Sequence, residues 1–171
     1  MSKVQKLALV GLFVALDIIF TRFLHFYMPP GTYTVRISPQ FLAHALAGWI
    51  LGPWWALGSA VAGDLLGVII NTAGKAVYLG YTLSAALIGL IYGLFLHRRP
   101  VRWWRSLLAV STVTLTISLV LTSVWNSRLY ESPVSVFVIS ALPWRAMTIP
   151  VYSAVLFAVQ KALERSKVIT P

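Results

Sequence analysis

Long apolar runs separated by short polar breaks set the rhythm of this chain. The first run, Val4 to Leu24, is long enough to cross a bilayer core, for which roughly 20 residues suffice. His25 to Ser38 follows, with Pro29, Pro30 and Gly31, and reads as a turn-rich external loop. Phe41 to Ile70 is apolar except for His44 and Asp64, and Gly52-Pro53 interrupts it. It is either one kinked helix or two helices joined by a tight turn. Charge decides for two, because only then do Lys3 and Lys6 share the cytoplasmic side with the basic segment His97 to Arg105, as the positive-inside rule prefers. After a short external loop, Asn71 to Lys75, a helix is predicted from Leu79 to Leu96. The uncharged run Leu107 to Trp125 is the next span, and Asn126 to Pro133 the next external loop. The last helix starts at Val134 or Ala141 and ends near Leu163, with Lys161, Arg165 and Lys167 on the cytoplasmic side. The expectation is one all-α polytopic domain over residues 1–171, with six transmembrane helices and both termini cytoplasmic.

Composition agrees. Of 171 residues, 58% are hydrophobic and 11% charged, against about 25% charged in soluble domains. Lipid is therefore the expected solvent. The net charge of +10 would suggest nucleic acid in a soluble domain. Here the cations cluster at the ends of apolar runs, which points to anionic headgroups and away from nucleic acid. Cysteine is absent, which excludes disulfides and thiolate chemistry. The first run is too long for a signal-peptide core and no clear cleavage site follows it, so it reads as a mature helix.

Small residues recur four apart: Gly11 and Ala15, Ala43 and Ala47, Gly48 and Gly52, Gly63 and Gly67, Gly89 and Gly93. Most serve packing inside the bundle, where close backbone approach replaces the hydrophobic drive that lipid does not supply. The face of the first helix carrying Ala8, Gly11 and Ala15 is the best candidate for docking a partner helix. Enzyme motifs are missing. Lys75 follows Gly74, but position 69 holds no glycine and no Ser or Thr follows the lysine, so the phosphate-cradling loop is absent. The three histidines are scattered, which leaves no metal site and no cofactor to expect.

The informative residues are polar ones near the external helix ends. Arg22, Arg36, Asn71, Lys75, Arg128 and Arg145 gather there, with Tyr27, Tyr33, Tyr78, Tyr81, Trp125, Tyr130 and Trp144. Cations and aromatics around one cavity suit a planar anionic small molecule. The competing readings are an interfacial aromatic belt and arginines snorkelling to headgroups. Asp64 reads as the structural partner of a buried donor, and Asp17 as a neutraliser of a neighbouring arginine.

Four stretches carry a family likeness: Ala15 to Leu24, Val35 to Ser38, Ala47 to Pro53 and, most specific, Gly80 to Gly93; Gly63 to Gly67 also fits. On these the chain resembles the folate-specific substrate-binding (S) component of energy-coupling factor transporters. One departure is Leu79, where related chains often carry proline. The resemblance implies a membrane-embedded vitamin-binding subunit of a bacterial cell-membrane importer, not an enzyme. Its pocket opens to the outside, and its partners are a transmembrane coupling protein and two cytoplasmic ATPases. It implies docking of that coupling protein on Ala8, Gly11 and Ala15. For folate it implies Arg22, Arg36, Lys75 and Arg145 on anionic or carbonyl groups, Tyr78, Tyr81 and Trp125 around the rings, and Asn71 on a pterin edge. The alternatives are the same scaffold with riboflavin, pantothenate or a thiamine precursor, and, outside the class, a small intramembrane enzyme.

Overall fold

The computed structural model describes residues 2–28, 35–70 and 78–166. Six helices and one small hairpin account for nearly all of them. Helix α1 spans Lys3–Arg22. Strands β1, Phe26–Met28, and β2, Val35–Ile37, pair antiparallel with Tyr27 opposite Arg36. Helix α2 spans Gln40–Leu51, α3 Pro53–Ile70 and α4 Leu79–Leu96. Helix α5 runs Trp103–Tyr130, and α6 Val134–Arg165.

The apolar runs become these helices because a helix satisfies its own backbone polar groups, which lipid cannot do. The apolar side chains face outward: Val4, Trp54, Ile69 and Leu79 are each at least 75% exposed. The interior holds Ser, Thr, Asn and Arg side chains among small residues. Five helices are long and apolar enough to cross a membrane, and α2 is the shorter sixth. Its 12 residues rise about 18 Å, short of a hydrocarbon layer of roughly 30 Å. Ser38 Oγ donates to Phe20 O over 2.6 Å, which ties the end of β2 to α1.

The Gly52-Pro53 break separates two helices, as the charge pattern required. Gly52 sits at φ 96°, a conformation that favours glycine, and proline suits the first turn of a helix. His97 Nδ1 lies 3.1 Å from Trp49 O, covering the end of α2.

Three boundaries differ from the sequence reading. The basic segment His97 to Arg105 is not all loop, since α5 begins at Trp103. The segment Asn126 to Pro133 is helical as far as Tyr130, because Asn126 and Ser127 spend their side chains on Tyr81 and Ser132 within the bundle end. The segment His25 to Ser38 contains the hairpin; strands of three residues leave no alternation to read.

The glycine pairs are used for close packing. A Cβ on Gly89 would lie 2.6 Å from Ala56 O, and one on Gly93 would overlap Pro53 Cα. A Cβ on Gly48 would lie 2.6 Å from Gly93 N. These contacts lock α2, α3 and α4 together at the end of the bundle remote from the hairpin. Trp49, Tyr92, Leu96, Ala109, Val110 and Leu156 form the main core there.

Candidate functional site

A cavity of about 160 Å³ occupies the half of the bundle nearest the hairpin. Every helix contributes to its wall. Arg22 comes from the last turn of α1, Arg36 from β2, and Gln40 and His44 from the first turns of α2. Tyr78 and Tyr81 enter where α4 begins, and Arg145 from the first half of α6. Tyr92 and Val113, both buried, also line the cavity.

Helix α5 lines the cavity from a stretch of unusual winding. Val113–Leu121 form a π-helical stretch, whose wider turns bond i to i+5. Thr114, Ser118 and Thr122, spaced four apart and so on one helix face, line the cavity. In α6, Pro143 and Pro150 bracket Arg145, and each proline withholds the N–H that would cap a carbonyl four residues back.

The charges are unevenly served. Arg22 Nη2 is 3.6 Å from Asp64 Oδ1 and donates to Asp64 O over 3.3 Å. Thr82 Oγ1 donates to Asp64 Oδ2 over 2.7 Å, which holds the carboxylate. Glycines make this possible: a Cβ on Gly67 would lie 2.7 Å from Arg22 Nε. Asp64 thus pairs with a buried donor, as the sequence suggested. Asp17 does not neutralise an arginine as its closest contact. Its Oδ1 is 3.4 Å from His44 Nε2 and accepts from Thr21 Oγ1 over 3.2 Å. The reason is helical geometry, since Thr21 is one turn on and Arg22 is turned towards α3. Arg145 is 9% exposed and has no acidic partner among the described residues. The Nε atoms of Arg22 and Arg145 are buried without a hydrogen-bond acceptor among those residues.

Aromatic rings shape the slot. Tyr78 meets Tyr81 edge-on at 5.9 Å between centroids. Phe41 and Tyr152 stack at 3.9 Å and 7°. Tyr81 donates its hydroxyl to Asn126 Oδ1 over 2.6 Å.

Of the residues singled out from sequence, Arg22, Arg36, Tyr78, Tyr81 and Arg145 line the cavity together. Trp125 stands behind the wall. Its Nε1 donates to Ser84 Oγ over 3.0 Å, and its ring leans on Tyr78 at 5.6 Å. Gly80 leaves the room for both rings. Asn71 and Lys75 lie outside the described residues. Sequence reasoning missed Gln40, His44, Phe41 and Tyr152, which line the cavity. The available signal was polar residues one turn apart, Gln40 and His44, at the start of an otherwise apolar helix.

Residues 5–160 match the family model described as ECF transporter, substrate-specific component. The chain is 31% identical over 168 residues to a protein of Clostridium novyi (strain NT) named "Folate transporter FolT", covering 98% of this chain and 95% of that relative. A protein of the same name from Leuconostoc mesenteroides is 29% identical over 130 residues, covering 75% and 66%. Among solved structures, "Crystal structure of FolT bound with folic acid" superposes with a TM-score of 0.80 at 29% identity, covering 90% of both chains.

Proposed function

This chain belongs to the family of substrate-specific components of ECF transporters, and from that premise we propose that it binds folate in the cavity described above and hands it to an ATP-driven coupling module. It is a multi-pass bacterial membrane protein and a transporter component. One observation carries the ligand reading. Among the described residues, three arginines line the cavity and one carboxylate, Asp64, lines it with them, already engaged by Arg22. Buried charge left without a partner is costly, so this wall is built to receive an anion. Folate brings two carboxylates and a flat bicyclic ring. The tyrosines and the Phe41–Tyr152 stack frame a slot of matching chemistry. The names of the relatives and of the solved structure support the same ligand.

The cavity mouth is proposed to face the cell exterior, with both termini in the cytoplasm. Lys3, Lys6, Arg98, Arg99, Arg102, Arg105, Lys161 and Arg165 lie at the ends of helices opposite the cavity, where the positive-inside rule places cytoplasm. Purifying the chain in detergent and identifying a co-purified ligand by mass spectrometry tests the assignment. A pterin signature is expected, and a riboflavin signature would reject folate while leaving the scaffold intact. Of the remaining sequence candidates, Asn71 and Lys75 are proposed for the pterin edge and an anionic group, and Trp125 as a support for Tyr78.

The Arg22 setting gives a further expected result. Gly67→Ala pushes a methyl against the guanidinium, and loss of one charge-assisted contact is worth about 1.5–3 kcal/mol. Folic acid affinity should fall at least about tenfold, read by fluorescence titration.

The coupling module needs a surface. Ala8, Gly11 and Ala15 are exposed on one face of α1, and nothing lies within 4 Å of where a Gly11 Cβ would be. Docking of the transmembrane coupling protein is proposed there, with ATP hydrolysis left to two cytoplasmic ATPases. Gly11→Leu should leave folic acid binding by the isolated subunit unchanged and abolish co-purification with the coupling protein. Intact assembly of the variant would remove this face from consideration.

A further inference from the structure

At the end of the bundle opposite the cavity, a narrow cleft lies between α2, the α4–α5 connection, α5 and α6. Its lining includes Trp49, Arg99, Arg102, Arg105, Ser106 and Gln160. The unengaged side-chain groups there are donors. Trp49 is 1% exposed, and its indole N–H is buried with no acceptor among the described residues. Arg105 is half-buried, and its Nη1 is enclosed without an acceptor among the same residues. Indole and guanidinium can only donate. Ser106 Oγ donates to Gln160 Oε1 over 3.0 Å, so the amide's Nε2 hydrogens face another way.

The nearby backbone carbonyls are already engaged. Trp49 O lies 3.1 Å from His97 Nδ1. Leu96 O accepts from Arg99 N, and Arg102 O accepts from Arg105 N and Ser106 N. Helix α5 starts here without a side-chain cap, and a helix start leaves its first N–H groups unmet and favours an anion. Among the described residues, no carboxylate lies within ion-pair distance of Arg99, Arg102 or Arg105. Arginines that merely snorkel carry the head outward to water. Arg99 and Arg102 are exposed at the rim, but Arg105 keeps Nη1 inside.

We propose that this cleft binds the phosphate of an anionic phospholipid headgroup. Basic pockets between transmembrane helices on the cytoplasmic side suit such headgroups, and phosphate oxygens accept several charge-assisted hydrogen bonds at once. The cleft is too narrow for a whole headgroup, so the phosphate sits at its mouth with an oxygen turned towards the buried donors. Trp103 and Trp104, 38% and 69% exposed, flank the start of α5, as aromatic residues do at the membrane interface. That places the cleft at headgroup level and makes lipid the source. Inorganic phosphate has the same chemistry without the chains. Phosphatidylcholine adds a cation, which the arginines repel. The inference does not depend on which ligand the cavity takes.

Native mass spectrometry of the full chain in detergent, with phosphatidylglycerol and phosphatidylcholine added in equal amounts, tests it. Wild type should retain phosphatidylglycerol about tenfold more. Arg105→Met and Trp49→Phe should each weaken that retention about tenfold, the scale of one hydrogen bond to a charged group. Lys3→Met removes a charge at the same end of the bundle but outside the cleft, and should match wild type. Equal losses in Lys3→Met and Arg105→Met would overturn the site in favour of diffuse attraction. Equal retention of the two lipids by wild type would overturn it outright. Displacement of phosphatidylglycerol by inorganic phosphate at equal concentration would overturn the lipid assignment. If Arg105→Met and Trp49→Phe do not fold, exposed Arg102→Met takes their place, and undiminished retention there overturns the proposal.

Discussion

Replacing Arg145 by methionine is expected to weaken folic acid binding from roughly thirtyfold to several-thousandfold, and to raise the melting temperature of the ligand-free protein. The two signs come from one fact. Arg145 is buried, brings a charge into the interior and meets no carboxylate among the described residues. Its cost is recovered only when an anion arrives. Truncating one partner of a buried charge pair costs about 2–5 kcal/mol of binding, which sets the range. Without ligand, an apolar side chain of similar length in place of a buried ion is neutral or stabilising by about 1–4 kcal/mol. Paired measurements on one preparation, folic acid titration and thermal unfolding, check both. Unchanged affinity would remove Arg145 from the site. A lower melting temperature would show that the guanidinium is structural.

The second large effect is on stability. Gly93→Ala should lower the unfolding free energy by about 3 kcal/mol, the upper end of ordinary overpacking. Its Cβ would overlap the backbone of Pro53, and backbone cannot turn aside as a side chain can. Gly48, facing Gly93 across the α2–α4 crossing, transmits the strain to a third helix. Gly11→Ala is the control. Open space surrounds it, and alanine in a helix interior is favoured over glycine by about 1 kcal/mol. Thermal unfolding of both variants in one detergent gives the comparison. Equal melting temperatures would mean that α3 and α4 are not packed as described.

Why some of this was legible and some not follows from the physics of each signal. Helix α4 was read with its observed bounds, Leu79–Leu96, because apolar length is a one-dimensional property and charged residues follow its end. The Gly52-Pro53 break was readable because glycine admits the positive φ seen there, proline suits the first turn of a helix, and the positive-inside rule decided for two helices. The hairpin was not, because Phe26–Met28 and Val35–Ile37 are too short for a period. Nor was the π-helical stretch, whose Ser, Thr and aliphatic residues suit an ordinary helix equally well. For the site, Arg22 and Arg145 stood out because charge inside a span is rare. Gln40, His44 and Tyr152 did not, since their importance lies in what they touch across the bundle. Trp125 shows the reverse: it stood out as an aromatic ending a span, but the helix runs on to Tyr130 and its ring leans on Tyr78 from behind.

The loose winding of α5 has a consequence for how the helix keeps two distant appointments. Near one end Ser106 bonds to Gln160, and near the other Asn126 receives Tyr81. A regular helix advances about 100° per residue, so it has a single phase relation between those positions. Spreading the adjustment over Val113–Leu121 lets each terminus choose its own azimuth, much as a vernier reconciles two scales.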